Sequence, residues 1–447
     1  MEKIKVIIIG AGSRGGTYNH YMSKNPDKYE VVAVADPRKT ARDKVQKLWN
    51  LPDSACYAGG WEEILSLPKM ADLAVIATLD DMHFKPAMKA ISLGYNLLLE
   101  KPVSQTPEEC AKIALAAKEK GVSVLVCHVL RYTPFYKKVK QILLDGTIGD
   151  IMSAVAVEGV GNLHQSHSFV RGNWHSEKES TPMLLAKSCH DLDIIQWLMG
   201  KKCKRVQSFG ELSYFCEKNA PAGAPVRCAD GGCPVGDTCP YNCLKLYYED
   251  KNNLWFRGAA TTFIKKDAIP TDEEVMEALK TTDYGLCVFH ANNDVVDHQT
   301  VNMEFEDGIN VTFSMNAFNE GGRYIRIFGT KGELYANAAD TEITVYTFAD
   351  KKTAKIPASL VDESINGGHG GGDEGIIDEL YDYLSGTYTG YCAADIDISV
   401  RNHMIGFAAE KARHNGTVES LEEYMASFLV IISRIYQISP TTKSQIV

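Results

Sequence analysis

The stretch Lys3-Ile4-Lys5-Val6-Ile7-Ile8-Ile9-Gly10-Ala11-Gly12-Ser13-Arg14-Gly15 decides the fold. Its β-branched run reads as a strand buried on both faces of a parallel sheet. The glycines that follow close a tight turn and open a helix. Gly10 permits the turn, Gly12 lets the backbone approach a pyrophosphate, and Gly15 allows close helix packing. The helix start, with Ser13 and Arg14, offers N–H donors and a positive dipole end to that anion. A second strand begins at Tyr29 and ends at Asp36, the roughly twenty-residue spacing of a dinucleotide site. The Asp36 carboxylate is suited to both ribose hydroxyls, which favours NAD over NADP. Arg38 stands two residues on and has the charge to hold a 2′-phosphate.

Working outward, strands are predicted at 72–78, 95–101 and 122–127, with helices at 40–47, 85–92 and 107–120. Thr106-Pro107-Glu108-Glu109 is a helix start, with proline at the first position and acids in the first turn. This alternation predicts a doubly wound parallel sheet, an α/β Rossmann domain for NAD over 1–128. After Pro134 the texture changes. Alternating strands are predicted at 151–157, 204–212, 300–316 and 324–328, and helices at 135–144, 183–199, 376–385 and 396–415. The expectation for 129–447 is an α+β substrate and oligomerisation domain with an open, mostly antiparallel sheet. Residues 217–245, rich in Gly, Pro, Ala and Cys, read as an irregular insertion.

Composition sets bounds. The chain has 447 residues, 45% of them hydrophobic, enough for two or more cores. The net charge is −10 without a basic block, so nucleic acid is not an expected partner. No apolar run approaches the ~18 residues of a membrane span, and the start of the chain lacks a signal-peptide pattern. A cytoplasmic protein without a membrane partner is expected. Among the twelve cysteines, Cys56, Cys110, Cys127 and Cys287 stand in apolar settings and read as small buried hydrophobes.

Glu100-Lys101-Pro102 closes an apolar strand at the carboxyl edge of the sheet, where ligands sit. Lys101 is either a solvated strand-end charge or a reactive group beside a cofactor. On the predicted helix 183–199, Lys187, His190 and Asp193 share one face. A histidine with an acid one turn away has its tautomer fixed, which suits acid–base work; a core histidine explains the pattern equally. Between His164 and His175, Arg171, Trp174 and His175 suit a sugar pocket, an aromatic face with directional donors. The histidines there also admit a metal. His369 opens a polar-ended glycine loop that lines the same cleft or forms a plain surface turn. Tyr284, Asp297-His298-Gln299 and Arg323 are further pocket candidates, or parts of a hydrogen-bonded strand face. Cys228, Cys233, Cys239 and Cys243 are four thiols that can surround one structural zinc. An iron–sulfur cluster or disulfides are the alternatives.

The order Gly10-x-Gly12-x-x-Gly15, Thr78 with His83, Glu100-Lys101-Pro102 and His190-x-x-Asp193 resembles the glucose–fructose oxidoreductase / inositol dehydrogenase (Gfo/Idh/MocA) family. Gly329-Thr330-Lys331-Gly332-Glu333 and the closing helix through Phe407 to Arg413 fit it too, so the resemblance covers nearly the whole chain. It implies that Lys101 meets the reacting hydroxyl and the nicotinamide, with Thr78, His83 and Glu100 around the cofactor, and that His190 is the catalytic histidine. Many members carry Asp four residues before that histidine. Ala186 stands there in this chain, and Lys187 is the adjacent polar candidate. The expected reaction is hydride transfer to NAD from a ring hydroxyl, such as C3, of a sugar, cyclitol or glycoside. Two alternatives remain: an NAD-using glycosidase that oxidises C3, eliminates, hydrates and re-reduces, and a non-catalytic NAD-sensing protein. The resemblance also implies a homo-oligomer, dimer or tetramer, joined through the open face of the second sheet.

Overall fold

A computed structural model describes residues 2–265, 269–358 and 369–436. The first sheet contains β1 (Ile4–Ile9), β2 (Tyr29–Ala35), β3 (Cys56–Tyr57), β4 (Leu73–Ile76), β5 (Asn96–Leu99) and β6 (Val124–Val126). All pair in parallel, in the order β3-β2-β1-β4-β5-β6. Val6 to Ile9 are fully buried, so the apolar run is covered on both faces. Each such side chain contributes about 1.5–3 kcal/mol. The strand order reverses on either side of β1, which opens a crevice at the strands' carboxyl ends. Helices Ser13–Lys24, Lys39–Trp49, Phe84–Leu93 and Pro107–Lys120 cover the sheet. The last is capped as its sequence predicts: the Thr106 hydroxyl accepts from the Glu109 N–H.

The second sheet is mixed. It contains β7 (Ile151–Gly159), β8 (Cys203–Glu211), β9 (His298–Phe305), β10 (Asn310–Asn316), β11 (Gly322–Gly329), β12 (Gly332–Asn337), β13 (Glu342–Thr347), β14 (Lys352–Pro357) and β15 (Glu419–Ser420). Their order is β14-β13-β12-β11-β7-β10-β9-β8-β15. β7 and β10 run parallel; the other pairs are antiparallel. The period-two pattern buries Val301, Met303, Val311, Phe313, Ile325 and Ile327 on one face. Val155, Phe209, Tyr324 and Tyr335 remain exposed on the sheet.

The structure departs from the sequence reading at three elements that matter for the site. The stretch 300–316 is two strands joined at Glu306–Gly308, where Asp307 and Gly308 take positive φ of 58° and 76°. The helix expected over 183–199 is two helices, Met183–Ala186 and Cys189–Met199, interrupted at Lys187 and Ser188. The insertion is irregular as expected, but helices Leu254–Ala260 and Asp272–Thr281 follow it. The second starts at a capping box between Thr271 and Glu274.

The last third of the chain bridges both sheets. The Val126 N–H donates to the Ala394 carbonyl at 3.0 Å. His403, on the helix Ile396–Asn415, accepts from the Val103 N–H at 3.0 Å. The Tyr29 hydroxyl donates to Ile377 at 2.7 Å, on the helix Gly372–Ser385.

Candidate active site

The glycine turn is built as a cradle. Gly10 has φ +85°, and a Cβ there would lie 2.5 Å from the Ala77 carbonyl oxygen. A Cβ on Gly15 would lie 1.9 Å from the Gly10 oxygen. Neither position admits another residue without movement. Ser13 opens the helix Ser13–Lys24 above this turn. Asp36 is buried, and its carboxylate accepts from the Ala11 N–H at 2.9 Å. Arg38 grips the same carboxylate through Nε at 2.9 Å and Nη2 at 2.7 Å. That Nη2 would lie 3.0 Å from a Cβ on Gly12, so Arg38 lies across the turn. The bare backbone at Gly10, Gly12 and Gly15, with an acid at the next strand end, fits a dinucleotide.

Arg14 ties this turn to the chain that follows β5. Its Nε donates to Glu100 at 2.8 Å, and its Nη1 and Nη2 donate to Asp373 at 2.9 and 2.6 Å. Tyr18 donates to Glu100 at 2.5 Å. Although burial opposes it, Arg14, Lys101 and Tyr18 hold the Glu100 carboxyl below its ordinary range. His369 joins the cluster, with Nδ1 3.0 Å from Asp373. The loop after β4 fixes the other flank: His83 Nδ1 stands 2.6 Å from the Pro102 carbonyl, and the Thr78 hydroxyl donates to Met82 at 3.1 Å. The Lys101–Pro102 peptide bond is cis. Lys101 Nζ reaches the second domain, where it donates to the Ala186 carbonyl at 2.9 Å.

This contact puts Lys101 beside the broken helix. His190 sits in the first turn of Cys189–Met199. It is 6% exposed, with Nδ1 unpartnered. Burial first, then the charges of Lys101, His369, Arg323 and His128, push its pKa well below the usual histidine range. His190 is therefore a neutral imidazole with an open nitrogen, the form a general base requires. Its ring lies 6.0 Å from that of His369 and 6.4 Å from that of His128.

Lys187, in the break, pairs with Glu158 at 3.2 Å. Glu158 also meets Arg323 at 2.7 Å, and Arg323 bridges on to Asp191 at 2.8 Å. Burial pushes the Glu158 carboxyl up to about 7, against the pull of Arg323 and Lys187. Burial also lowers Lys187. His164 feels Lys187, Arg323 and Lys101, and burial keeps it neutral. Glu158 and Asp191 were not singled out by sequence. An acid in the alternating pattern of β7 looks like an ordinary strand residue, and its partners lie far away in the chain.

Lys101, His190 and His369 thus converge, and Lys187 joins them through Glu158 and Arg323. Apart from Arg323, already met at Glu158 and Asp191, and Trp174, the other second-domain candidates lie elsewhere. Asp193 does not orient His190: it is buried against Arg131 in two 2.7 Å hydrogen bonds, with Asn402 as a further donor. Breaking such a pair costs about 3–5 kcal/mol, so the nearest guanidinium claims this acid. Arg171 donates to the carbonyls of Leu286 and Tyr241, under the cysteine insertion. His175 turns back on Gly172 at 2.9 Å. Tyr284 stacks on His167 at 5.0 Å within an aromatic cluster containing Trp255 and Phe256. Asp297 caps a loop by accepting from the Ser213 and Tyr214 N–H groups. Trp174 spans the domains, its indole donating to Asp80 at 2.9 Å. Among the described residues no three His, Cys, Asp or Glu side chains stand together as an ion site, so the expected zinc on Cys228, Cys233, Cys239 and Cys243 is not formed. The Cys243 thiol meets the Cys228 sulfur and the Gly285 carbonyl, the latter 3.9 Å off. No helix among the described residues is long and apolar enough to cross a membrane.

A parallel sheet with a glycine cradle, and a lysine and a neutral histidine at its crevice, define the class of nicotinamide-dependent oxidoreductases. Two family models match, the NAD-binding Rossmann fold of an oxidoreductase family over residues 4–128 and its C-terminal alpha/beta domain over 140–394. The chain belongs to the Gfo/Idh/MocA oxidoreductase family. It is 25% identical to the Bacillus subtilis protein YteT, named as an oxidoreductase, over 393 residues, 83% of this chain and 88% of that one. A 2,7-anhydro-N-acetylneuraminate hydratase of Escherichia coli is 25% identical over 203 residues, 45% of this chain and 51% of the hydratase. The structure of a levoglucosan dehydrogenase in complex with NADH and L-sorbose shares the fold, with a TM-score of 0.66 at 17% identity, over 94% of this chain and 99% of that one.

Proposed function

We propose that the protein oxidises a ring hydroxyl of a sugar, cyclitol or glycoside with NAD. The observation that carries this reading is the meeting of Lys101 and His190 across the domain crevice, beside the glycine cradle. His190 takes the hydroxyl proton, because its buried imidazole is neutral and has a free nitrogen. Lys101 donates to the same oxygen and offsets its developing charge. Arg14 and Glu100 fix the strand end that carries Lys101, and His369 and Trp174 flank the crevice. Bound NAD supplies the hydride acceptor. NAD is favoured over NADP because Asp36 repels a 2′-phosphate and Arg38 is already committed to Asp36. The test is a panel of sugars, cyclitols and glycosides, followed at once for NADH absorbance and aglycone release. Turnover with none of them, with NAD or NADP, would count against the reading.

A second reading is supported by the Lys187–Glu158 pair. Oxidation and reduction at one carbon need only one acid–base group. Transient oxidation followed by elimination, hydration and re-reduction needs another to move a C–H proton and a leaving-group proton, and Arg323 links this pair to Asp191, the residue after His190. The likeness to an anhydro-sugar hydratase agrees with it. Aglycone release without net NADH formation would select this reading; NADH accumulating in step with oxidised sugar would select the first. We further propose a homo-oligomer joined through the exposed sheet face of Val155, Phe209, Tyr324 and Tyr335. Sedimentation showing a monomer would exclude it.

A further inference from the structure

The glycine cradle has a neighbour from the second domain. After the helix Leu254–Ala260 the chain folds into a tight turn over residues 261–265. The N–H groups of Ile264 and Lys265 both donate to the Thr261 carbonyl at 2.9 Å. Thr261 is fully buried, and its hydroxyl donates to the Arg257 carbonyl at 2.7 Å. Arg257 is buried too and pairs with Asp272 at 2.7 Å, at the start of the helix Asp272–Thr281. Lys265 Nζ reaches back to the Gly258 carbonyl at 3.1 Å. The turn is thus fixed at its base, and it holds out Phe263, which is 76% exposed.

One exposed apolar side chain is ordinary on a protein surface; its position gives this one a meaning. The Phe263 ring lies beside the nucleotide domain, its centroid 5.9 Å from Arg38 Cζ, within cation–π reach. Burial first, then the charges of Lys44 and Arg38, lower the pKa of Lys265, so a second side chain of the turn faces that domain. Arg38 is the residue that lies across the glycine turn and grips Asp36 through two nitrogens. That grip fixes the guanidinium plane. In a dinucleotide fold the acid at the end of the second strand takes the ribose of the adenosine half, so the base falls beyond it. Beyond Asp36 stand the Arg38 plane and the Phe263 ring.

We propose that Phe263 binds the adenine ring of the dinucleotide, so that the second domain closes the adenosine end of the cofactor site. The inference rests on the dinucleotide reading of the glycine cradle and is independent of which hydroxyl is oxidised. An aromatic face and a guanidinium plane are surfaces on which a base stacks. A neutral base takes the Phe263 face out of water and leaves Arg38 its bonds to Asp36. Arg38, Lys44 and Lys265 also put positive charge at this corner. That charge suits a phosphate-bearing nucleotide better than an apolar protein surface.

The test is calorimetric titration of the full chain, F263A and F263W with NAD and with ADP-ribose, alongside thermal melts without ligand. F263A is expected to bind both ligands about 10- to 100-fold more weakly, with its melting temperature unchanged because the side chain is exposed. F263W keeps an aromatic face, so it is expected to retain wild-type affinity, and its added indole emission to be quenched by ADP-ribose. Equal affinity of F263A and wild type for ADP-ribose, or added emission in F263W that ADP-ribose leaves unchanged, would overturn the proposal. Wild-type protein that binds neither ligand would overturn the dinucleotide reading itself, and this inference with it.

Discussion

Glu158 holds its proton near neutrality because burial outweighs two neighbouring cations, Arg323 and Lys187. If the Lys187–Glu158 pair moves protons, kcat/KM should bend near pH 7. E158Q should remove that bend while leaving NAD affinity unchanged, and kcat/KM profiles with parallel NAD titrations check both. Lys101, His190 and Lys187 were legible in sequence because each sits in a short local pattern. Glu158 was not, because its role depends on Arg323, which reaches it from a neighbouring strand. Asp193 shows the opposite failure. Its spacing from His190 is helical and correct, yet Arg131 comes from outside the helix and captures it.

At the scale of elements, the glycine turn is the part with least freedom. A methyl on Gly15 would meet the Gly10 carbonyl at 1.9 Å. G15A should therefore destabilise by about 1–3 kcal/mol, the usual cost of overpacking, and weaken NAD binding. A melt and a fluorescence titration test this; unchanged values in both would show that the turn relaxes freely. The strands β1, β2, β4, β5 and β6 were readable because full burial demands unbroken apolar runs. The edge strand β3 was not, since it pairs through only two residues. Strands β12 to β14 escaped for a related reason: their sheet has an open face, and β14 is largely exposed, so polar residues dilute the pattern. The break at Lys187 was also hidden, because the apolar spacing runs through it, while Lys101 and Glu158, which meet the break at Ala186 and Lys187, come from distant parts of the chain.

Across the whole molecule, both domains and the C-terminal helices converge on one crevice and bury many histidines in neutral form. His128, His164, His167, His190, His369 and His403 all have pKa values lowered chiefly by burial, His167 and His403 to about 3. In the unfolded chain each takes up a proton below about pH 6.5, while the folded chain does not, so stability is present above that pH and falls as pH drops through it. Each group contributes up to about 1.4 kcal/mol per pH unit. Glu158, Glu177 and Asp193, whose pKa values burial raises, act in the opposite sense above their ordinary range, the first two up to about 7, three groups against six. The melting temperature should therefore fall steeply between about pH 6.5 and 5.5; a flat profile there would contradict the buried neutral cluster. The joint origin of the proposed site is also what makes it testable, because Lys101 comes from the nucleotide domain and reaches the second domain at the Ala186 carbonyl. The direct measurement is turnover of K101A with any active member of the substrate panel, alongside its Kd for NAD. A fall in kcat of about 100- to 1000-fold with NAD affinity essentially unchanged is predicted. Near-normal turnover, or a loss fully explained by weaker NAD binding, would contradict the account.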